Sequence, residues 1–246
     1  MAKFVWPEGK MAALSLTFDD ACPSQLDTGL PILDRHGIPA TFYVSPAVVE
    51  PRLKDWREVV IRGHEIGNHT LTHPCSEVYS WSRENALEDY TEEGIVRDIE
   101  QASAYIMSNL GVSPATFAYP CGQKFVGRGE ERKSYMPRVA ERFAAARSAF
   151  ETTANDPFSV DFADVAAISV DSATVEDMLS HAEKAVAEGR WLVFLSHEVG
   201  DEPGPVTLAA RELDAFCTEL RALGSPFWID TVEGISSYIL EQQKGK

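Results

Sequence analysis

Short apolar runs alternate along the chain with longer stretches whose apolar residues recur at helical spacing, and this alternation predicts an α/β architecture. Ala13–Phe18 reads as the first strand and ends in two aspartates. Gln25–Arg35 places Leu26, Leu30 and Leu33 on one helical face and stops at Gly37. Ala40–Val44 is the second strand, ended by Pro46, and Leu53–Arg62 is a helix leading into Gly63. The longest helix runs from Thr91 to Leu110 with Ile95, Ile99, Ala102 and Ile106 along one side, before Gly111 and Pro114 terminate it. Thr116–Tyr119, Ala144–Ala149, Ala166–Val170, Trp191–Ser196 and Phe227–Ile229 are further strands. Val175–Glu188, Thr207–Leu223 and Val232–Gln242 are the later helices. The polar stretch from Gln123 to Met136 has no periodicity and reads as a surface loop. With no repeat and no low-complexity linker, a single catalytic domain spanning 1–246 is expected, a length that suits one α/β barrel.

Composition narrows the partners. The hydrophobic fraction of 44% is enough for a sizeable core, and 38 acidic against 22 basic residues leave a formal net charge of -16. Such a surface repels phosphate backbones and anionic lipid, so nucleic-acid and membrane partners are disfavoured, while neutral or cationic substrates fit. No apolar run reaches the length of a membrane span. The opening MAKFVWPEGK lacks the pattern of a secretory leader, so a cytoplasmic address is expected. Four cysteines, Cys22, Cys75, Cys121 and Cys217, are too scattered for a disulfide scaffold and form no C-x-x-C pair. They are expected to be small buried packing residues, although three lie within a few residues of the chemical motifs.

Five such motifs follow or end strands, and in parallel α/β folds that edge is where sites assemble. The first is Thr17-Phe18-Asp19-Asp20. Adjacent acids repel, and a bound cation removes that cost, although an ordinary acidic turn would account for the pair equally well. The second is Gly63-His64-Glu65-Ile66-Gly67-Asn68-His69-Thr70-Leu71-Thr72-His73-Pro74. A separation of four residues puts His69 and His73 on one face of a helical turn, and His64 is turned away. Two imidazoles and a distant carboxylate suit zinc or a similar first-row metal, with positions left for water and substrate. The others are Phe117-Ala118-Tyr119-Pro120-Cys121-Gly122, Ser169-Val170-Asp171-Ser172 and Leu195-Ser196-His197.

TFDD followed by GHEIGNHTLTH closely resembles the first two motifs of the polysaccharide deacetylase family, carbohydrate esterase family four, and the resemblance runs from about Ala12 to Ser237. It implies a distorted (β/α) barrel of seven or eight strands and metal-dependent removal of acetyl groups from a carbohydrate. Carried over, it makes Asp20, His69 and His73 the metal ligands and Asp19 the catalytic base. Cys121 stands where the family uses a backbone N–H to stabilise an oxyanion and usually places an aromatic residue. Ala118 stands where many members place an arginine that helps hold the base. Arg128 and Arg132 in the following loop are candidates to replace it, and both also read as solvated surface residues. Asp171 is similar to the family's motif aspartate, with Thr174 and Val175 replacing its second aspartate and tryptophan. It either orients the histidine of the fifth motif or caps the next helix. His197 matches the family's general acid.

The leaving group is not written in these motifs. An N- or O-acetylated small sugar or oligosaccharide is the expected substrate, because the Gln123 to Met136 loop is expected to overhang the metal, with Arg128, Lys133 and Tyr135 near sugar hydroxyls. An allantoinase-like hydrolase of small cyclic amides and a catalytically silent carbohydrate-binding module are the competing expectations.

Overall fold

The computed structural model describes residues 4–222 and 225–244. Eight parallel strands form the central sheet: β1 (Ala12–Asp19), β2 (Ala40–Val44), β3 (Glu65–Asn68), β4 (Thr116–Ala118), β5 (Ala145–Arg147), β6 (Ile168–Ser169), β7 (Trp191–Ser196) and β8 (Phe227–Ile229). Seven of them run in the order β5-β4-β3-β2-β1-β7-β6, and β8 pairs with the start of β1. The sheet curls towards closure, because Val165, just before β6, makes a parallel bridge to Arg147 at the end of β5. The result is the distorted (β/α) barrel that the family resemblance implied, within the α/β architecture that the alternation of elements predicted.

Most expected elements fall within a residue or two of their observed bounds, and Ala40–Val44, Trp191–Ser196 and Phe227–Ile229 coincide with them. The long helix, Glu92–Leu110, begins where the Thr91 hydroxyl accepts from the Gly94 N–H and ends at Gly111 in the left-handed conformation. Val175–Glu188 starts in a capping box built by Thr174 and Asp177. One helix is shorter than expected. Thr207–Ala209 pairs as a strand with Glu198–Gly200, and the helix occupies only Ala210–Arg221, while Leu223 lies outside the described residues.

Alternation along β1 explains both the core and the site. Ala12, Leu14, Leu16 and Phe18 pack outward with Phe42, Trp56, Phe194 and Phe216 under the helices. The opposite face carries Ser15, Thr17 and Asp19, all buried. Trp6, Trp191, Val232, Ile235 and Ile239 form a second apolar cluster with Ala13 at the amino-terminal end of β1. Polar chemistry is therefore displaced to the carboxyl-terminal edge, where β1, β3, β4, β5, β6 and β7 all deliver their last residues.

Candidate active site and metal centre

Asp19 closes β1, and Asp20 and Ala21 follow with φ of 72° and 53°. Left-handed backbone at two non-glycine residues turns the chain sharply away from the sheet and separates the two carboxylates. Asp19 stays buried, whereas the Asp20 side chain is partly open. Gln25, fully buried, fixes this turn against the fifth motif: its Nε2 donates to the Asp19 and His197 carbonyls.

The two histidines converge differently from the helical turn that their spacing suggested. The stretch after β3 is irregular, with φ of 66° at Thr70 and 51° at His73. Side chains hold it: Asn68 Oδ1 accepts from the Thr70 N–H at 2.7 Å, and the Thr70 hydroxyl accepts from the His73 N–H at 2.9 Å. Buried Asp98, on the long helix, accepts from the Leu71 N–H and the Thr72 hydroxyl, each at 2.7 Å. The imidazoles end 4.8 Å apart between centroids. His64 takes no part; its Nδ1 accepts from the Ala40 N–H and its Nε2 meets Asp34.

Asp20, His69 and His73 offer ligand atoms that all lie within 4.8 Å of one another. Asp20 Oδ1 stands 3.4 Å from His69 Nε2 and 3.2 Å from His73 Nε2. His69 Nδ1 lies 2.9 Å from the Ala118 carbonyl, which can only accept, so its Nε2 is left with a lone pair aimed at the cluster. Three converging donors need a cation or extra protons between them, and a first-row divalent ion fits this oxygen and nitrogen set. Burial pushes the Asp20 carboxyl up, but hydrogen bonds and charge from the two imidazoles outweigh it and hold it well below the usual carboxylate range.

The cation opposite Asp19 is Arg147, and neither Arg128 nor Arg132. Arg147 Nη2 donates to both Asp19 oxygens, and the arginine is fully buried at the end of β5. In the sheet register Ala118 sits directly beside Arg147, so the guanidinium reaches Asp19 from the strand next to the one that carries Ala118. Arg128 is spent on Glu77 and Asp89 at the surface, and Arg132 lies over the Phe125 ring.

At the other side of the cavity His197 Nδ1 meets Asp171 Oδ2 at 2.7 Å, while Asp171 Oδ1 accepts from the Ser196 hydroxyl and the His197 N–H. Asp171 thus orients the histidine, and helix capping is left to Thr174. Burial lowers the imidazole's affinity for a proton, but the Asp171 hydrogen bond and the charges of Asp19, Asp171 and Asp20 outweigh it and raise the pKa to about 9.

Two expectations are corrected here. Cys75 and Cys121 are bonded as a disulfide, which ties the histidine turn to the loop after β4; only Cys22 and Cys217 are free. Scattered positions in sequence hid two loops that meet at one barrel edge. The Gln123 to Met136 stretch does not overhang the site. It folds back on itself through the Phe125–Val126 and Lys133–Ser134 pair, and Tyr135 is buried with its hydroxyl donating to the Gln123 carbonyl. Tyr79, Trp81, Phe150, Pro205 and Val206 instead surround Asp19, Asp20, both metal-side histidines, Cys121, Asp171 and His197, in a cavity of about 300 Å³.

The polysaccharide deacetylase family model matches residues 7–132, half of the sequence. The chain belongs to this family. Over 61 residues, 24% of the chain, this deacetylase-family member is 46% identical to a chitooligosaccharide deacetylase of Sinorhizobium fredii and covers 28% of that protein. It spans between 7% and 39% of the length of the curated relatives it matches. Among solved structures it resembles a polysaccharide deacetylase described as such from Mycobacterium smegmatis, at 17% identity and a TM-score of 0.71, covering 99% of this chain and 95% of that one. It also resembles a family 4 acetyl xylan esterase of Clostridium thermocellum in complex with a cobalt ion, at 22% identity and a TM-score of 0.60, covering 92% and 91%. The family match ends at residue 132, and the fold likeness extends over the carboxyl-terminal half, which holds Arg147, Asp171 and His197.

Proposed function

We propose that this family member is a metal-dependent hydrolase that removes N- or O-linked acetyl groups from a carbohydrate. The observation that carries the proposal is the juxtaposition of an Asp20, His69 and His73 donor cluster with an arginine-held acid, Asp19, and an aspartate-held histidine, His197, around one cavity. A divalent ion, zinc or a close relative, would be held by the three donors and would supply polarisation of the acetyl carbonyl and a more acidic water. The cobalt ion of the xylan esterase is consistent with such a centre.

Asp19 is 3.9 Å from His69 Nε2, and with both oxygens pinned by Arg147 it takes the proton of the attacking water. The Cys121 N–H, presented by a residue with φ of 53°, donates to the oxygen on which charge develops. His197, charged at neutral pH, carries the proton that the departing amine or alcohol needs, and Asp171 keeps Nε2 as its free proton site.

Among the described residues no helix is long and apolar enough to cross a membrane. The Cys75–Cys121 bond favours an oxidising compartment over the expected cytoplasmic address.

The test separates ligand from base. His73→Ala is expected to lose metal and turnover together, whereas Asp19→Asn should retain metal while acetate release falls roughly 100- to 10,000-fold. Full metal occupancy and a normal rate in His73→Ala would place the centre elsewhere. Running chitooligosaccharides beside a cyclic amide distinguishes acetyl transfer to water from ring opening.

A further inference from the structure

The two proton-handling residues are held by different strands. Arg147, at the end of β5, pins both Asp19 oxygens, while Asp171, two residues past β6, holds the His197 ring. Asp19 and His197 themselves sit at the neighbouring ends of β1 and β7. The register of that pair stops at Phe18 and Ser196, one residue short of both. Gln25 takes over where the ladder ends. Its Nε2 donates to the Asp19 carbonyl and, at 2.8 Å, to the His197 carbonyl, and the residue is fully buried.

The bridge is specified by its surroundings. A carbonyl only accepts, so the amide must turn its NH2 towards both, which leaves Oε1 buried with no hydrogen-bond partner among the described residues. An unpaired buried acceptor costs about as much as two neutral hydrogen bonds contribute, so net stability does not account for a glutamine here. What the amide adds is geometry. The Asp19 carbonyl belongs to the peptide that leads into the left-handed turn at Asp20 and Ala21, and such backbone persists only when its neighbours over-determine it. The chain around Gln25 is fixed in turn. A wide π-type turn runs from Gln25 to Gly29, a geometry that recurs at functional sites. Ser24 Oγ donates to Glu198 at 3.0 Å and accepts from the Val199 N–H at 3.2 Å, and Gly29 packs where a Cβ would lie 3.1 Å from the Val199 side chain.

We propose that Gln25 is a positioning residue: by bonding the carbonyls of both Asp19 and His197 it sets the separation between base and acid across the seam of β1 and β7. The proposal rests on the deacetylase reading and adds the residue that couples its two proton transfers. Asp19 keeps its place without Gln25, because Arg147 grips it from β5. His197 and Asp171 move as a pair, so loss of the bridge displaces the acid relative to the base and the donor cluster. A displacement of about 1 Å can cost on the order of 100-fold in a step that needs alignment. That step is protonation of the departing group.

The experiment follows kcat at saturating zinc on an acetylated sugar and on 4-nitrophenyl acetate. The sugar is chitotetraose or acetylated xylotetraose, whichever releases acetate. Either sugar expels an amine or alcohol that takes its proton from His197, whereas the nitrophenyl ester expels a phenolate that departs without one. Gln25→Leu keeps the bulk and removes both donors. It is expected to lower kcat on the sugar roughly tenfold or more, with KM changed less than about twofold and kcat on the nitrophenyl ester within about threefold. Gln25→Glu keeps the shape, puts an acceptor against both carbonyls, and should show the same split. Ser24→Ala removes the neighbouring clasp and no bond to either carbonyl, so its ratio of the two kcat values should match the unaltered protein. Rates on both compounds falling together in a folded Gln25→Leu or Gln25→Glu variant, or neither falling, overturn the positioning role and leave the deacetylase reading intact. Absence of acetate release from both sugars by the unaltered protein overturns the two readings together.

Discussion

Asp19 shows how one residue's setting decides its chemistry. The acid pair, the two histidines and His197 are legible in the sequence because each lies in a short motif at a strand end. The partner of Asp19 is not, because Ala118 and Arg147 become neighbours only when β4 and β5 pair. A search of the loop after the third motif finds Arg128 and Arg132, which are nearer in sequence and occupied elsewhere. Removing one member of a buried ion pair leaves an uncompensated charge, so Arg147→Ala is expected to cost about 3–5 kcal/mol of stability as well as activity. The informative variant is the exchange Ala118→Arg with Arg147→Ala, which returns a guanidinium to the same side of the sheet from the adjacent strand. It should recover much of the rate and stability lost in Arg147→Ala, measured by acetate release and a denaturant midpoint. If the exchange is no better than Arg147→Ala, the arginine does more than hold Asp19, for instance through its Ser148 carbonyl contact.

Among the elements, β3 was hidden inside the histidine motif. Its residues, Glu65-Ile66-Gly67-Asn68, read as polar, yet all four are buried, because Glu65 accepts from Thr41, Thr116 and the Glu233 N–H and Asn68 donates to the Ile99 carbonyl. Gly67 is required there, since a Cβ would fall 2.4 Å from the Tyr43 ring. With that strand unseen, a spacing of four between His69 and His73 looked helical; the strand end and the Asp98 anchor produce the same convergence by another route. The disulfide was equally hidden, as its cysteines are 46 residues apart. It links the turn carrying His73 to the loop presenting the Cys121 N–H, so it sets the distance between the proposed metal ligand and the proposed oxyanion donor. Reduction, or the Cys75→Ala and Cys121→Ala double variant, should lower the denaturant stability by about 2–4 kcal/mol and cut kcat while bound metal persists. Equal kcat for oxidised and reduced protein, with thiols counted, would leave the bond a structural clamp alone.

At the scale of the whole molecule, the barrel turns a chain of 246 residues into one edge where six strands meet, and the net charge of -16 sets the field in which substrate approaches that edge. Asp201 and Glu202 are exposed a few residues before Pro205 and Val206 at the mouth, with Arg211 paired to Glu202, and Glu77 and Asp89 lie on the Tyr79 side, bridged by Arg128 with Arg83 also at Glu77. A field of one sign at a cleft concentrates cations and repels anions, and salt weakens it as the screening length falls from about 30 Å at 0.01 M to about 10 Å at 0.1 M. Three substrates with one chemistry and different charge then give a signed result. Across that salt range kcat/KM on partly deacetylated, cationic chitosan oligomers should fall several-fold, on neutral chitooligosaccharides should change less than twofold, and on anionic peptidoglycan fragments should rise. The three share the reacting acetyl group, so the salt response isolates charge. A flat profile for the cationic oligomers would mean that Arg128 and a bound divalent ion neutralise the mouth locally, and that the acidic excess serves solubility and not substrate choice.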